Sequence, residues 1–83
     1  MRKYLNYRLE ISDFDILSNG YDGGHKYLKT IISFNGKMRR VSVLFKNRQD
    51  EERLSNLEKL VIEGELADDG NEDLLITKAT IVN

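Results

Sequence analysis

The sequence predicts an all-β domain carrying one short helix, and three features support that reading. Apolar and polar residues alternate over much of the chain, as in Val41, Val43 and Phe45 against Arg40, Ser42 and Lys46, which is the period of a half-buried strand. Asn35-Gly36 lies between two such runs and supplies two residues that tolerate positive φ, as a two-residue hairpin requires. No proline interrupts any run, which suits long strands whose N–H groups all pair.

The elements follow in order. Residues 4–17 read as one long strand: Leu5, Tyr7, Leu9 and Ile11 alternate with Asn6, Arg8 and Glu10. After Ser12 the phase slips by one, so that Phe14 and Ile16 take the apolar places; a slip of that kind is a β-bulge, and it bends a strand sharply. Residues 18–25 are dense in Gly, Asn, Asp and Ser and read as a loop. Residues 26–34 form a second strand and residues 37–46 a third, joined by the Asn35-Gly36 turn. Asn47 is a good helix N-cap, Asp50, Glu51 and Glu52 suit the positive end of a helix dipole, and Leu54 with Leu57 makes an apolar stripe. The spacing predicts a helix of roughly three turns over residues 47–59. Residues 60–66 return to alternation as a fourth strand, in which Gly64 implies a bend or a close backbone approach. Residues 67–73 make an acidic hairpin loop around Asp69-Gly70, and residues 74–82 are a fifth strand. There is no internal repeat, linker or low-complexity stretch.

A chain of 83 residues holds one domain, spanning 1–83, and a domain this short buries only roughly 60% of its unfolded surface. The absence of cysteine removes disulfides, thiolate metal sites and cysteine nucleophiles, and suits a reducing, cytoplasmic setting. No apolar run approaches the ~20 residues of a membrane span, and the opening Met-Arg-Lys-Tyr has no apolar signal core behind it. The net charge of −1 conceals a division: residues 1–48 carry ten basic and four acidic residues, net +6, while residues 49–83 carry three basic and ten acidic, net −7. Either the basic half presents a positive surface to a polyanion, or the two halves pair with each other across the fold.

The order β-β-β-α-β-β, with the helix between the third and fourth strands, resembles the OB-fold, a small closed or partly open five-stranded Greek-key barrel. Leu57-Glu58-Lys59-Leu60-Val61-Ile62-Glu63-Gly64-Glu65-Leu66, an acidic turn and Leu74-Leu75-Ile76-Thr77-Lys78-Ala79-Thr80-Ile81-Val82 look like the closing hairpin of that fold. The resemblance is to a superfamily and rests on element order more than on residue motifs. An SH3-like barrel and an open five-stranded sheet with a helix on its face are the competing arrangements. The resemblance implies a binding surface on the second and third strands, bordered by the loop after the first strand and the loop between the last two. Members of the superfamily bind oligonucleotides, oligosaccharides or proteins there.

No catalytic set is visible. His25 is the single histidine and sits in a Gly-rich stretch as an exposed loop residue. Gly20, Gly23 and Gly24 lack the Lys-Ser/Thr continuation of a phosphate loop. Asp68, Asp69, Asn71, Glu72 and Asp73 do not match the spacing of a helix-loop-helix calcium site. Asp13 and Asp15 are two carboxylates without a pocket. The expectation is a non-enzyme with no cofactor and no metal, a small accessory protein that acts by binding.

If Leu28, Thr30, Ile32 and Phe34 face the core on the second strand, and Val41, Val43 and Phe45 on the third, the outer face holds Tyr27, Lys29, Ile31, Arg40, Leu44 and Lys46. The outer residues of the first strand add Tyr4 and Arg8, and the loop adds Tyr21. Tyrosines interleaved with cations suit single-stranded nucleic acid, because cations attract the backbone and each ring offers a stacking platform worth about 1–3 kcal/mol per base. On that reading the site is Tyr4, Arg8, Tyr21, Tyr27, Lys29, Arg40 and Lys46. The alternative is a protein-interaction or oligomerisation module in which Ile31 and Leu44, on the same face, form the contact. The acidic stretch 67–73 argues against phosphate if it borders the groove. The phase of the second strand is the weak point, since a one-residue slip exchanges Tyr27, Lys29 and Ile31 for Leu28, Thr30 and Ile32.

Overall fold

The phase slip after Ser12 ends a strand outright. A computed structural model describes residues 2–20, 24–70 and 73–83, and in it the long first strand is two strands, β1 (Arg2–Ile11) and β2 (Asp15–Asn19), parted by residues 12–14. After them come β3 (His25–Phe34), β4 (Lys37–Phe45), α1 (Arg48–Arg53), a 3-10 turn (Leu54–Asn56), β5 (Leu60–Asp68) and β6 (Asp73–Ile81). The strand count is therefore six where five were expected. All six belong to one sheet in the order β1-β5-β6-β4-β3-β2. Every neighbouring pair is antiparallel except β4 and β6, which run parallel. The sheet is not closed by a continuous ladder: β1 and β2 are its two edges, and the bend at residues 12–14 carries the chain from one edge to the other.

The hairpin at Asn35-Gly36 forms as expected, with φ of 51° and 80° at the two turn residues, and β3 pairs with β4 without a slip from Tyr27↔Leu44 to Phe34↔Lys37. Two bulges were not legible in the alternation. In β1, Leu5 and Asn6 together oppose Glu65 between the pairs Tyr4↔Leu66 and Tyr7↔Gly64, and Asn6 adopts φ 56°. The phase of β1 therefore turns over. Tyr4 joins Tyr7 on the core side, and Leu5, expected inside, is 68% exposed. In β6, Lys78 adopts φ 54° where the register slips against both β4 and β5. Asparagine visits this left-handed region readily; a lysine there is uncommon.

The helix is shorter than predicted. Asn47 is its N-cap, its side chain accepting from the Asp50 N–H at 2.9 Å. α1 has only six residues before tightening into the 3-10 turn, after which Leu57 is extended (φ −116°, ψ 133°). Ser55 and Asn56 are weak helix formers, and the chain must straighten to enter β5 at Leu60. Asp50 and Glu51, expected merely to suit the helix dipole, are buried. Asp50 accepts from the Ile81 N–H (3.1 Å), and Glu51 accepts from the Lys26 N–H (2.6 Å). The two carboxylates thus clamp the helix to the end of β6 and the start of β3.

The core lies on one side of the curved sheet beneath this clamp, and includes Leu28, Val43, Leu54, Leu60, Ile62, Leu66 and Ile76, all without exposed surface. Gly64 is in phase with Ile62 and Leu66. A Cβ there would stand 2.8 Å from the Thr77 carbonyl oxygen and 2.9 Å from Ile76 Cγ2, so the bulged β6 packs where a side chain would be. Among the described residues no helix is long and apolar enough to cross a membrane.

Two substitutions test this account by urea denaturation. Gly64→Ala overpacks against backbone and is expected to cost about 1–3 kcal/mol. Glu51→Ala leaves the Lys26 N–H without its acceptor and is expected to cost about 1–3 kcal/mol, whereas Glu52→Ala on the exposed side of the same helix costs far less.

Candidate functional site

The phase expected for the second and third strands is the one observed in β3 and β4. Leu28, Ile32, Phe34, Val41 and Val43 are buried, while Lys29, Ile31 and Arg40 are exposed and Tyr27 and Leu44 half-buried on the opposite side. Register sets the outer face out in rows across β2, β3, β4 and β6. One row runs Leu17, Tyr27, Leu44; the next Asp15, Lys29, Ser42, Leu75; the third Ile31, Arg40, Asp73; and Met38 stands opposite Ser33 beyond it. A shallow groove of about 200 Å³ crosses this face, lined by Asp15, Lys29, Ile31, Arg40, Ser42 and Asp73 among others.

The other predicted site residues stand elsewhere. Tyr4 lies in an aromatic cluster on the core side, its ring 5.8 Å from that of Phe34 and 6.3 Å from that of Tyr7, both edge-to-face. The bulge at Leu5-Asn6 turns it inward, which corrects its placement among the outward residues. Arg8 is on β1 opposite Glu63, in a separate hollow with Glu10, Val61, Val82 and Asn83. Lys46 follows β4, where its N–H donates to the Ala79 carbonyl (2.8 Å) and its side chain borders a third hollow with Leu5, Asn6, Glu65 and Lys78. Tyr21 lies outside the described residues. The seven residues named for nucleic acid are therefore not gathered: Tyr27, Lys29 and Arg40 share a face with Ile31 and Leu44, and Tyr4, Arg8 and Lys46 do not join them.

Charge on the shared face is compensated in part. Arg40 Nε donates to Asp73 at 3.0 Å, and Asp15 stands directly across from Lys29. Behind the face, Arg39 reaches Asp68 at 3.4 Å. Elsewhere Lys59 pairs with Glu10 (3.3 Å) and His25 Nδ1 lies 3.1 Å from Glu51 Oε2. His25 is the first residue of β3 and not a loop residue, though its side chain is exposed as expected. Two cations of the basic half, Arg39 and Arg40, are thus paired with acids of the acidic half. Exposed pairs of this kind contribute about 0–1 kcal/mol each, but they cancel field.

Beside the exposed Lys29, Ser33, Arg40 and Asp73, the face exposes three large apolar side chains: Ile31 at 59%, Met38 at 70% and Leu75 at 38%. The sequence reading took in Ile31 and missed Met38, Leu75 and Leu17. Their signal is the adjacent apolar pair (Ile16-Leu17, Ile31-Ile32, Leu44-Phe45, Leu74-Leu75), since strand geometry sends one member of each pair outward. The buried carboxylates of Asp50 and Glu51 each accept a backbone N–H. Among the described residues no group of three or more His, Cys, Asp or Glu side chains is placed to hold a metal ion.

The Asp68 carboxyl is held below the usual carboxylate range by the Gly70 N–H (3.1 Å) and by the guanidinium groups of Arg39 and Arg2, against partial burial that pushes it up. A depressed value means that these contacts stabilise the fold fully above the ordinary carboxylate range and lose their effect as pH falls through the lowered folded value. An Asp68→Asn variant is expected to show a shallower fall in thermal stability on acidification. Arg39→Ala is expected to move the Asp68 titration, followed by carboxyl NMR, upward and towards the ordinary value.

Comparison of the chain with protein-family models, with curated proteins and with solved structures finds no match.

Proposed function

We propose that the chain is a non-catalytic OB-fold-type module that binds protein through the outer face of β2, β3, β4 and β6. Three features of the strand arrangement support the fold reading. Counted as one bent strand, β1 and β2 border β5 on one side and β3 on the other; β4 and β6 run parallel; and the helix falls between β4 and β5. An OB-fold distributes its five strands in this way. The absence of cysteine suits a reducing, cytoplasmic setting for it.

The observation that carries the choice of partner is the balance of charge on the face together with its exposed apolar side chains. Each of its two cations stands across from an acid, and Ile31, Met38 and Leu75 are left exposed between them. Affinity for nucleic acid comes largely from uncompensated cations that displace counterions from phosphates. Aromatic and aliphatic side chains are what the core of a protein contact is built from. Tyr27 beside Lys29 is the one arrangement that favours single-stranded nucleic acid as the second reading, and the experiment sets the two against each other.

A labelled mixed-sequence single-stranded oligonucleotide, titrated with the protein at low and moderate salt, is expected to show no salt-sensitive rise in anisotropy. A photo-crosslinking side chain at Leu75, activated in the native host cell, is expected to give a discrete protein adduct that Ile31→Lys abolishes. Tight low-salt binding of the oligonucleotide that Lys29→Ala removes would replace this reading with the nucleic-acid one.

A further inference from the structure

Three stretches of strand edge left without a ladder partner among the described residues are not alike. The open side of β1 is guarded by the Leu5-Asn6 bulge and by Arg2, Lys3, Arg8 and Glu10. The open side of β2 is five residues long and includes Asp15, Ser18 and Asn19. Short length, charges and bulges are the devices that keep an edge from pairing. The third stretch is on β3. β2 covers β3 only from His25 to Lys29, where Asp15 ends the ladder, and the Thr30 hydroxyl is taken by the Asp13 carbonyl oxygen at 2.5 Å. Beyond that point Ile31-Ile32-Ser33-Phe34 continues in register with β4, and among the described residues no strand lies along its other side. It carries no charge, no proline and no bulge.

We infer that this stretch of β3 is a dimerisation edge, occupied by the same stretch of a second copy of the chain in antiparallel pairing about a two-fold axis near Ile32 and Ser33. The inference rests on the protein-binding reading and names its first partner. Two observations select a second copy. The ends of the edge carry opposite charge: Asp13 and Asp15 are exposed at the bend, and Lys37 is exposed beyond the hairpin turn. Antiparallel pairing of two identical edges brings the Lys37 end of each copy to the Asp13 end of the other, twice over, as an isologous contact requires. Ile31 and Met38 lie on the outer side of this edge, so the pairing also makes the apolar outer faces of the two copies continuous.

Sedimentation velocity over a concentration series, with amide hydrogen exchange on the same samples, tests it. The wild-type chain is expected to dimerise, with the alternate amides of residues 31–34 that point away from β4 becoming more protected as concentration rises. Ile31→Lys changes an exposed side chain, so an unchanged circular dichroism spectrum is expected together with a dissociation constant raised about tenfold or more. Lys37→Glu is expected to weaken the dimer, and adding Asp13→Lys to the same chain to restore it, a recovery that loss of fold would not produce. A chain monomeric at every concentration overturns the inference, and so does a dimer indifferent to both Ile31→Lys and Lys37→Glu. In either case the protein-binding reading survives if the Leu75 adduct forms; it fails separately, by salt-sensitive, Lys29-dependent oligonucleotide binding.

Discussion

The bend at residues 12–14 is the constraint on which the rest of the structure depends. A single run of chain forms β1 against β5, turns, and forms β2 against β3, so the same peptide supplies both edges of a six-stranded sheet. The sheet must curve to let the bend reach, and the curvature has local consequences. It requires the bulges at Leu5-Asn6 and Lys78, excludes a side chain at Gly64, and leaves a gap that the rings of Tyr4, Tyr7 and Phe34 fill. One open end is then shut by a helix too short to be stable alone, held by Asp50 and Glu51 to the backbone of β6 and β3. Covering Leu54 and capping two strand-terminal N–H groups are one structural act.

Strand order also decides the electrostatics. The first half of the chain is strongly basic and the second strongly acidic, and β1, with Arg2, Lys3 and Arg8, lies beside β5, with Glu63, Glu65 and Asp68. Arg39 meets Asp68, Arg40 meets Asp73 and Lys59 meets Glu10. Part of a charge separation that looks in the sequence like a polyanion-binding surface is taken up in local pairs. The Arg40–Asp73 pair and the exposed Ile31, Met38 and Leu75 on the outer face are what support the proposal of a protein partner over nucleic acid.

The face and the free edge of β3 meet at Ile31. A module of this size has little surface to spare, and burying part of it against a second chain recovers apolar area that a small core cannot supply. Pairing through an edge and docking through the adjoining face are compatible, since edge contacts use backbone groups and face contacts use side chains.

Much of this was legible in the sequence where the controlling interactions are local. The turn at Asn35-Gly36, the N-cap at Asn47, the phase of β3 and β4 and the slip after Ser12 each follow from a few neighbouring residues, and so do Tyr27, Lys29, Ile31, Arg40 and Leu44 as a common face. The sequence by itself determined a mostly β chain, one helix, and which side of its central hairpin is apolar. Tertiary structure decided the rest, because the deciding partner is far away in the chain. The slip became a break because β5 and β3 pull the two halves of the strand apart. Tyr4 turned inward because Asn6 opposes Glu65, a relation absent from β1 alone. Asp50 and Glu51 were buried because Ile81 and Lys26 present unpaired N–H groups to them. The pairing of Arg40 with Asp73 and the placing of Asp15 across from Lys29 depend on which strands lie side by side, and no periodicity within one strand encodes its neighbour.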